Sequence, residues 1–148
     1  MLDRLRSIVQ QVNAAGDIEQ IFDIIVSELS DVMQAEICSI YLANDDKSSL
    51  TLAASRGLNP KLIKQAVLTT GQGIVGEVFS KAEHILTDNA PEHEAYFPLQ
   101  DSGETDAHVF LGVPLIYHSQ PLGVLVIQRF TGELFTEDDV SFMITLSA

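Results

Sequence analysis

Two long apolar runs, Val109–Tyr117 and Leu122–Arg129, are separated only by His118-Ser119-Gln120-Pro121. A connection that short cannot carry a crossover between parallel strands, so the runs must pair as antiparallel neighbours. They are the most apolar part of the chain. Whatever sheet forms is therefore built around this hairpin and is largely antiparallel. Pro114 and the polar residues between the runs also rule out a membrane-spanning helix across the stretch.

Periodicity supplies the flanking elements. Leu2, Leu5, Val9 and Val12, widened by Ile8, predict an amphipathic first helix, which Gly16-Asp17 interrupts. Asp17, with Gln20 three residues on, predicts the capped start of a second helix carrying Ile18, Ile21, Phe22, Ile25, Val26, Leu29, Val32 and Met33. Ile37–Leu42 and Leu50–Ser55 read as strands joined around Asn44-Asp45-Asp46-Lys47. Lys61–Gln65 reads as a short helix, Val67-Leu68 as a brief extended piece, the residues from Gly73 to about Ala82 as another short helix, and His84–Thr87 as a strand. Asp88 to Asp106 is polar and irregular, and loops of that length are usually functional or disordered.

Thr136 opens a closing helix. Asp139 follows three residues later, and Phe135 and Val140 stand where a hydrophobic staple would place them. That helix has no terminator before Ala148, so further protein is expected beyond it. The expected fold is a single α/β (α+β) domain over residues 1–148 with a central, mostly antiparallel sheet. Terminal helices would cover one face, and short helices with the long loop would cover a pocket on the other.

Composition excludes several functions. The chain has 21 Asp and Glu against 8 Lys and Arg, a formal net charge of −13, and its few cations are scattered. Binding to nucleic acid or to an anionic membrane draws on clustered positive charge, so neither partner is expected. The lone Cys38 excludes an internal disulfide and a thiolate metal cluster. His84, His93, His108 and His118 lack metal-ligand spacing, and no nucleophile–base set can be read. No catalytic residue, metal or cofactor is therefore assigned. The N-terminus shows no signal peptide, so a cytoplasmic protein is expected.

Gly71-Gln72-Gly73-Ile74-Val75-Gly76 matches the pattern of a dinucleotide-binding turn. The surroundings do not: the preceding strand and the following helix are short, and the nearest well-placed acid, Asp88, comes about 12 residues after the last glycine, where the pattern needs one about 20 residues on. Two readings of the segment remain. Gly73, Ile74, Val75 and Gly76 could open a helix whose free N–H groups receive a carboxylate or phosphate, or the glycines could serve only a tight turn and close packing. Asp88-Asn89-Ala90 with His93, Tyr96 and Phe97 could form a facing wall that orients an amide or amino-acid ligand. The same residues could instead cap a short helix and pin the loop to the core. His108 and Phe110, at the entry to the first long strand, complete the candidate ligand-binding set.

The ordered segments resemble the GAF domain family across essentially the whole chain. The residues that carry this are Ala53–Leu58, Gly71–Gly76, Leu86-Thr87-Asp88, Leu111–Leu115, Leu122–Leu125 and Phe135–Asp139. A narrower resemblance, to the N-terminal regulatory domain of nitrogen-type phosphoenolpyruvate-protein phosphotransferases, rests on Leu2–Val9, Ile37–Ala43 and Phe110–Pro114. It implies a regulatory domain that senses a small metabolite, with glutamine and 2-oxoglutarate as the suspected signals, attached to downstream phosphotransfer domains of the same chain. The alternative it leaves open is a structural module that dimerises without a ligand. Family members commonly dimerise through their terminal helices, so a homodimer is expected. The polar signature of cyclic-nucleotide-binding members is absent from this sequence.

Overall fold

A computed structural model describes residues 17–97 and 107–147. The helix predicted over Leu2–Val12 and the loop residues 98–106 lie outside the described residues. Six strands form one sheet: β1 (Ile37–Ala43), β2 (Ser49–Arg56), β3 (Val67–Thr69), β4 (Ile85–Thr87), β5 (Val109–Tyr117) and β6 (Gln120–Arg129). Their order is β3-β2-β1-β6-β5-β4, and every neighbouring pair is antiparallel. The helices are α1 (Ile18–Val32), α2 (Gly73–Lys81) and α3 (Glu137–Ser147).

The β5–β6 hairpin occupies the middle of the sheet with β1, as its apolarity requires. Its connection is tighter than the sequence suggests. Only His118 and Ser119 form the turn, both left-handed at φ 48° and 64°, and β6 already begins at Gln120. Two successive left-handed residues give the turn whose twist matches that of paired strands. Pro121 is tolerated inside β6 because it lies opposite Ile116, where the register shifts, and its carbonyl accepts from Lys47 Nζ at 2.7 Å.

The sheet divides two cores. Leu125 and Ile127 of β6 face α1 and α3, packing with Val26, Leu29, Phe142 and Met143. Val124 and Val126 face the other way, toward Ile74, Val78 and Phe79 of α2. A bulge lets β2 serve both cores. Tyr41 pairs with Leu52 and Ile40 with Ala54, leaving Ala53 between them. The extra residue reverses the alternation, so Leu50 and Leu52 join the α2 core while Ala54 joins the other.

The helix ends follow local chemistry. Asp17 Oδ1 accepts from the Gln20 N–H at 2.8 Å and so caps α1. At α3 the Asp139 N–H donates to Thr136 Oγ1 at 3.1 Å and the Thr136 N–H donates to Asp139 Oδ2 at 2.8 Å, a reciprocal cap. The helix expected at Lys61–Gln65 is instead one 3₁₀ turn at Pro60–Leu62. Asn59 accepts from the Lys61 N–H at 3.1 Å, and the chain is already extended again at Ile63. A second such turn, Ala90–Glu92, lies within the segment expected to be irregular.

Candidate functional site

The face of the sheet covered by α2 carries a partly open cavity of about 20 Å3, room for about one water molecule. Its floor is Tyr41 of β1, Leu68 of β3, Phe110 of β5 and Gln128 of β6. Gly73, Ile74 and Val75 form one wall, and Ala90, Tyr96 and Phe97 close the other side.

Glycine geometry explains how α2 reaches this position. Gly73 begins the helix at φ 74°, a left-handed conformation that side chains disfavour. A Cβ there would stand 3.3 Å from the Phe97 carbonyl oxygen, so its absence lets the 90–97 segment lie against the first helical turn. Gly76 answers a different need. A Cβ on it would come within 2.9 Å of the Gly71 backbone, and the Gly71 N–H donates to the Gly76 carbonyl at 3.2 Å. This second glycine packs the turn onto the helix and does not line the cavity.

Of the candidate set, the structure brings Gly73, Ile74, Val75, Tyr96, Phe97 and Phe110 together around the cavity. It keeps Asp88, Asn89, His93 and His108 out of the lining and gives three of them local work. The Asn89 N–H donates to Thr87 Oγ1 at 3.1 Å, and Asn89 Oδ1 lies 3.3 Å from His108 Nδ1. His93 Nδ1 accepts from the Ala95 N–H at 3.0 Å, which fixes the turn that presents Tyr96. Asp88 is exposed.

Sequence reasoning missed Tyr41, Leu68 and Gln128, which reach the cavity from strands distant in the chain. Gln128 had a readable signal. It continues the alternate series Val124, Val126 on the α2 face of β6, and there it is a polar residue only 5% exposed.

Among the described residues, none of the lining side chains carries a charge. Cys38 lies in the opposite core, where burial pushes its thiol far above the ordinary range, so it is no nucleophile for this site. Among the described residues no three His, Cys, Asp or Glu are grouped to hold a metal ion, and no helix is long and apolar enough to cross a membrane.

Comparison with known proteins agrees with this architecture. The GAF domain family model matches residues 15–148. Phosphoenolpyruvate-dependent phosphotransferase system proteins of Escherichia coli K12 and Salmonella typhimurium LT2 are each 37% identical over 147 residues, 99% of this chain. The chain spans 20% of the length of those two relatives. Among solved structures, the GAF domain from an Acinetobacter phosphoenolpyruvate-protein phosphotransferase superimposes with a TM-score of 0.90 at 36% identity, covering 99% of this chain and 87% of that one. The corresponding domain from Coxiella burnetii gives 0.93 at 38% identity, with the same coverage. A free methionine-R-sulfoxide reductase from Neisseria meningitidis, solved with its substrate, shares the fold at a TM-score of 0.82 and 19% identity, covering 97% of this chain and 81% of that one. With its split cores, its α2-covered cavity and these relatives, the chain belongs to the GAF domain family.

Proposed function

We propose that this regulatory domain senses a small metabolite in the cavity between the sheet and α2, and that occupancy controls a phosphoenolpyruvate-protein phosphotransferase to which the domain is attached. Glutamine and 2-oxoglutarate are the candidate signals, in a cytoplasmic setting of nitrogen control. The observation that carries the reading is the cavity itself: a partly open space with aromatic walls at Tyr41, Tyr96, Phe97 and Phe110, bordered by the first turn of a helix.

At about 20 Å3 the space must widen before a metabolite fits. Binding therefore selects a conformation with α2 or the 90–97 segment displaced, and that coupling is what a sensor requires. Strand β6 offers the route to the far face. Gln128 lines the cavity, while Arg129 donates to the Met33 and Gln34 carbonyls at the end of α1 and to the Glu133 carbonyl before α3. A ligand that shifts β6 biases both helices, provided that it prefers one arrangement.

A thermal-shift series with glutamine, 2-oxoglutarate and nucleotides tests the reading. A ligand present at one hundred times its Kd stabilises the native state by about 2.7 kcal/mol, a shift of several degrees for a domain of this size.

The second reading, a dimerisation module without a ligand, is favoured by the small cavity and by Ile18 on α1 and Ile144 on α3, which are 62% and 43% exposed. Light scattering decides it. A dimer that Ile18→Lys dissociates, with no stabilisation by any compound at millimolar concentration, supports the module over the sensor.

A further inference from the structure

A larger hollow lies at the edge of the sheet. Strand β4 pairs with β5 only over Phe110–Gly112, so Val113–Tyr117 have no strand on that side among the described residues. Pro114 explains why the pairing stops. The His108 carbonyl is turned outward, where it accepts from the Ala90 N–H at 2.7 Å, and two-residue alternation turns the Pro114 backbone the same way. A further pair would need an N–H there, and proline has none. At this edge a partly open groove of about 380 Å3 is lined by Ala82, Glu83, His84, Pro114, Ile116 and Ile144. Small-molecule sites begin at about 300 Å3. The apolar walls come from β5 and from the exposed Ile144 of α3, and among the described residues no Lys or Arg lines the groove. Its polar end is negative. Glu83 follows Ala82, the left-handed cap at the C-terminal, negative end of α2. Lys81, the one cation of α2, is paired with Glu77, and that bond, with the charges of Glu77, Glu94 and Glu83, raises its pKa. Carboxylates thus outnumber cations here, and Glu77 Oε2 is buried with no hydrogen-bond partner.

We propose that this groove is a second ligand site, which takes a small organic cation: an ammonium or amidinium on an apolar body about the size of a benzyl group. The body lies against Pro114, Ile116 and Ile144, and the cation donates to the Glu83 carboxylate and to the outward carbonyl of Pro114. A free molecule fits better than an added peptide strand, because a strand pairing with β5 would require the N–H that Pro114 lacks. The formal net charge of −13 draws cations toward the surface and repels anions. Glu83 is exposed, so its attraction is modest and screened by salt, and contact with the apolar walls supplies the remaining affinity. The groove shares no lining residue with the cavity under α2, and the proposal stands apart from the sensing reading.

The test titrates the chain with benzylammonium, benzyl alcohol, benzoate and putrescine, following backbone NMR shifts at His84, Ile116 and Ile144, with Gly73 and Phe97 as controls in the other cavity. Benzylammonium is expected to shift the groove residues saturably, leave the controls unmoved, and bind about fivefold more tightly than the alcohol, the upper end for one exposed ion pair. Benzoate should bind more weakly still, and the preference for the cation should fall as salt is raised. In Glu83→Gln the cation and the alcohol should come within about twofold of each other. Ile144→Thr should weaken both alike. Both substitutions are at exposed positions, and if Ile144→Thr fails to fold, Glu83→Gln alone decides. Putrescine, which has charge without an apolar end, should bind more weakly than benzylammonium. An alcohol that matches the cation in the wild type, a preference that survives Glu83→Gln, or putrescine acting as strongly would each overturn the proposal. So would a cation that moves no groove residue, or moves only Gly73 and Phe97. Groove shifts that arise from raising the protein concentration alone, with a dimer in light scattering, would assign the groove to a second copy and overturn it too.

Discussion

The guanidinium of Arg129 lies 4.1 Å from the centre of the Phe135 ring. From that position it donates to the carbonyls of Met33 at 2.7 Å, Glu133 at 2.8 Å and Gln34 at 3.1 Å. One side chain of β6 thus ties the end of α1 to the segment that leads into α3. Its neighbour in sequence, Gln128, faces the cavity on the opposite side of the sheet.

Removing that tie frees three carbonyls and a ring face together. Arg129→Ala is expected to lower stability by about 2–3 kcal/mol, the range for lost charged hydrogen bonds at a partly exposed position. Arg129→Lys should recover less than half, because an ammonium cannot span donors in three directions while stacking on Phe135. Urea unfolding of the three proteins measures both values.

Two glycines separate steric exclusion from backbone strain. A Cβ on Gly123 would lie 2.0 Å from the Tyr41 carbonyl oxygen in the paired strand, so Gly123→Ala must push β1 and β6 apart. A loss of about 3 kcal/mol or more is expected. Gly71, at φ 90°, has nothing within 4 Å of the same added atom. Gly71→Ala then carries only the left-handed penalty of about 1–2 kcal/mol. Equal losses in denaturant melts would show that the sheet contact is looser than described.

The helix caps are separable from the cores they serve. Asp17→Ala and Thr136→Ala each remove a side-chain acceptor for a first-turn N–H, at 2.8 and 3.1 Å respectively. Each should reduce stability by about 1 kcal/mol, leaving cavity binding unchanged. Replacement by Asn at position 17 should restore most of the loss.

Cys38 provides a probe of opening. It is wholly buried, and burial raises its thiol pKa, so the reactive thiolate is disfavoured in the native state. Alkylation by iodoacetamide at pH 8 should proceed only as fast as the chain opens, and should accelerate in Gly123→Ala. Modification at the rate of a free thiol in the native protein would contradict the placement of β1 in the sheet centre.

Local chemistry was legible in the sequence wherever one element carries its own signal. Asp17 and Thr136 announced their helices, and the β5–β6 hairpin followed from four intervening residues. The left-handed His118-Ser119 turn and the bulge at Ala53 were not legible, because neither residue type advertises its conformation. The cavity was half readable for a similar reason. Gly73 and the Tyr96-Phe97 pair stand in conspicuous segments, whereas Tyr41 and Leu68 look like ordinary strand residues until the sheet order brings them together. Asn89, His93 and His108 were attractive as polar ligands, yet their polarity is spent on holding the 87–95 segment and the start of β5. Gln128 shows the reverse case. Alternation alone puts it beside Val124 and Val126 on the buried face, where a polar residue calls for a partner.

NMR titration of the chain with glutamine and 2-oxoglutarate decides whether the cavity between the sheet and α2 accepts a small metabolite. Saturable shifts are expected at Gly73, Ile74, Val75, Phe110 and Gln128, accompanied by smaller shifts at Met33 and Glu133 across the sheet. Spectra unchanged at millimolar ligand, or shifts confined to residues outside the cavity wall, would contradict binding in the cavity.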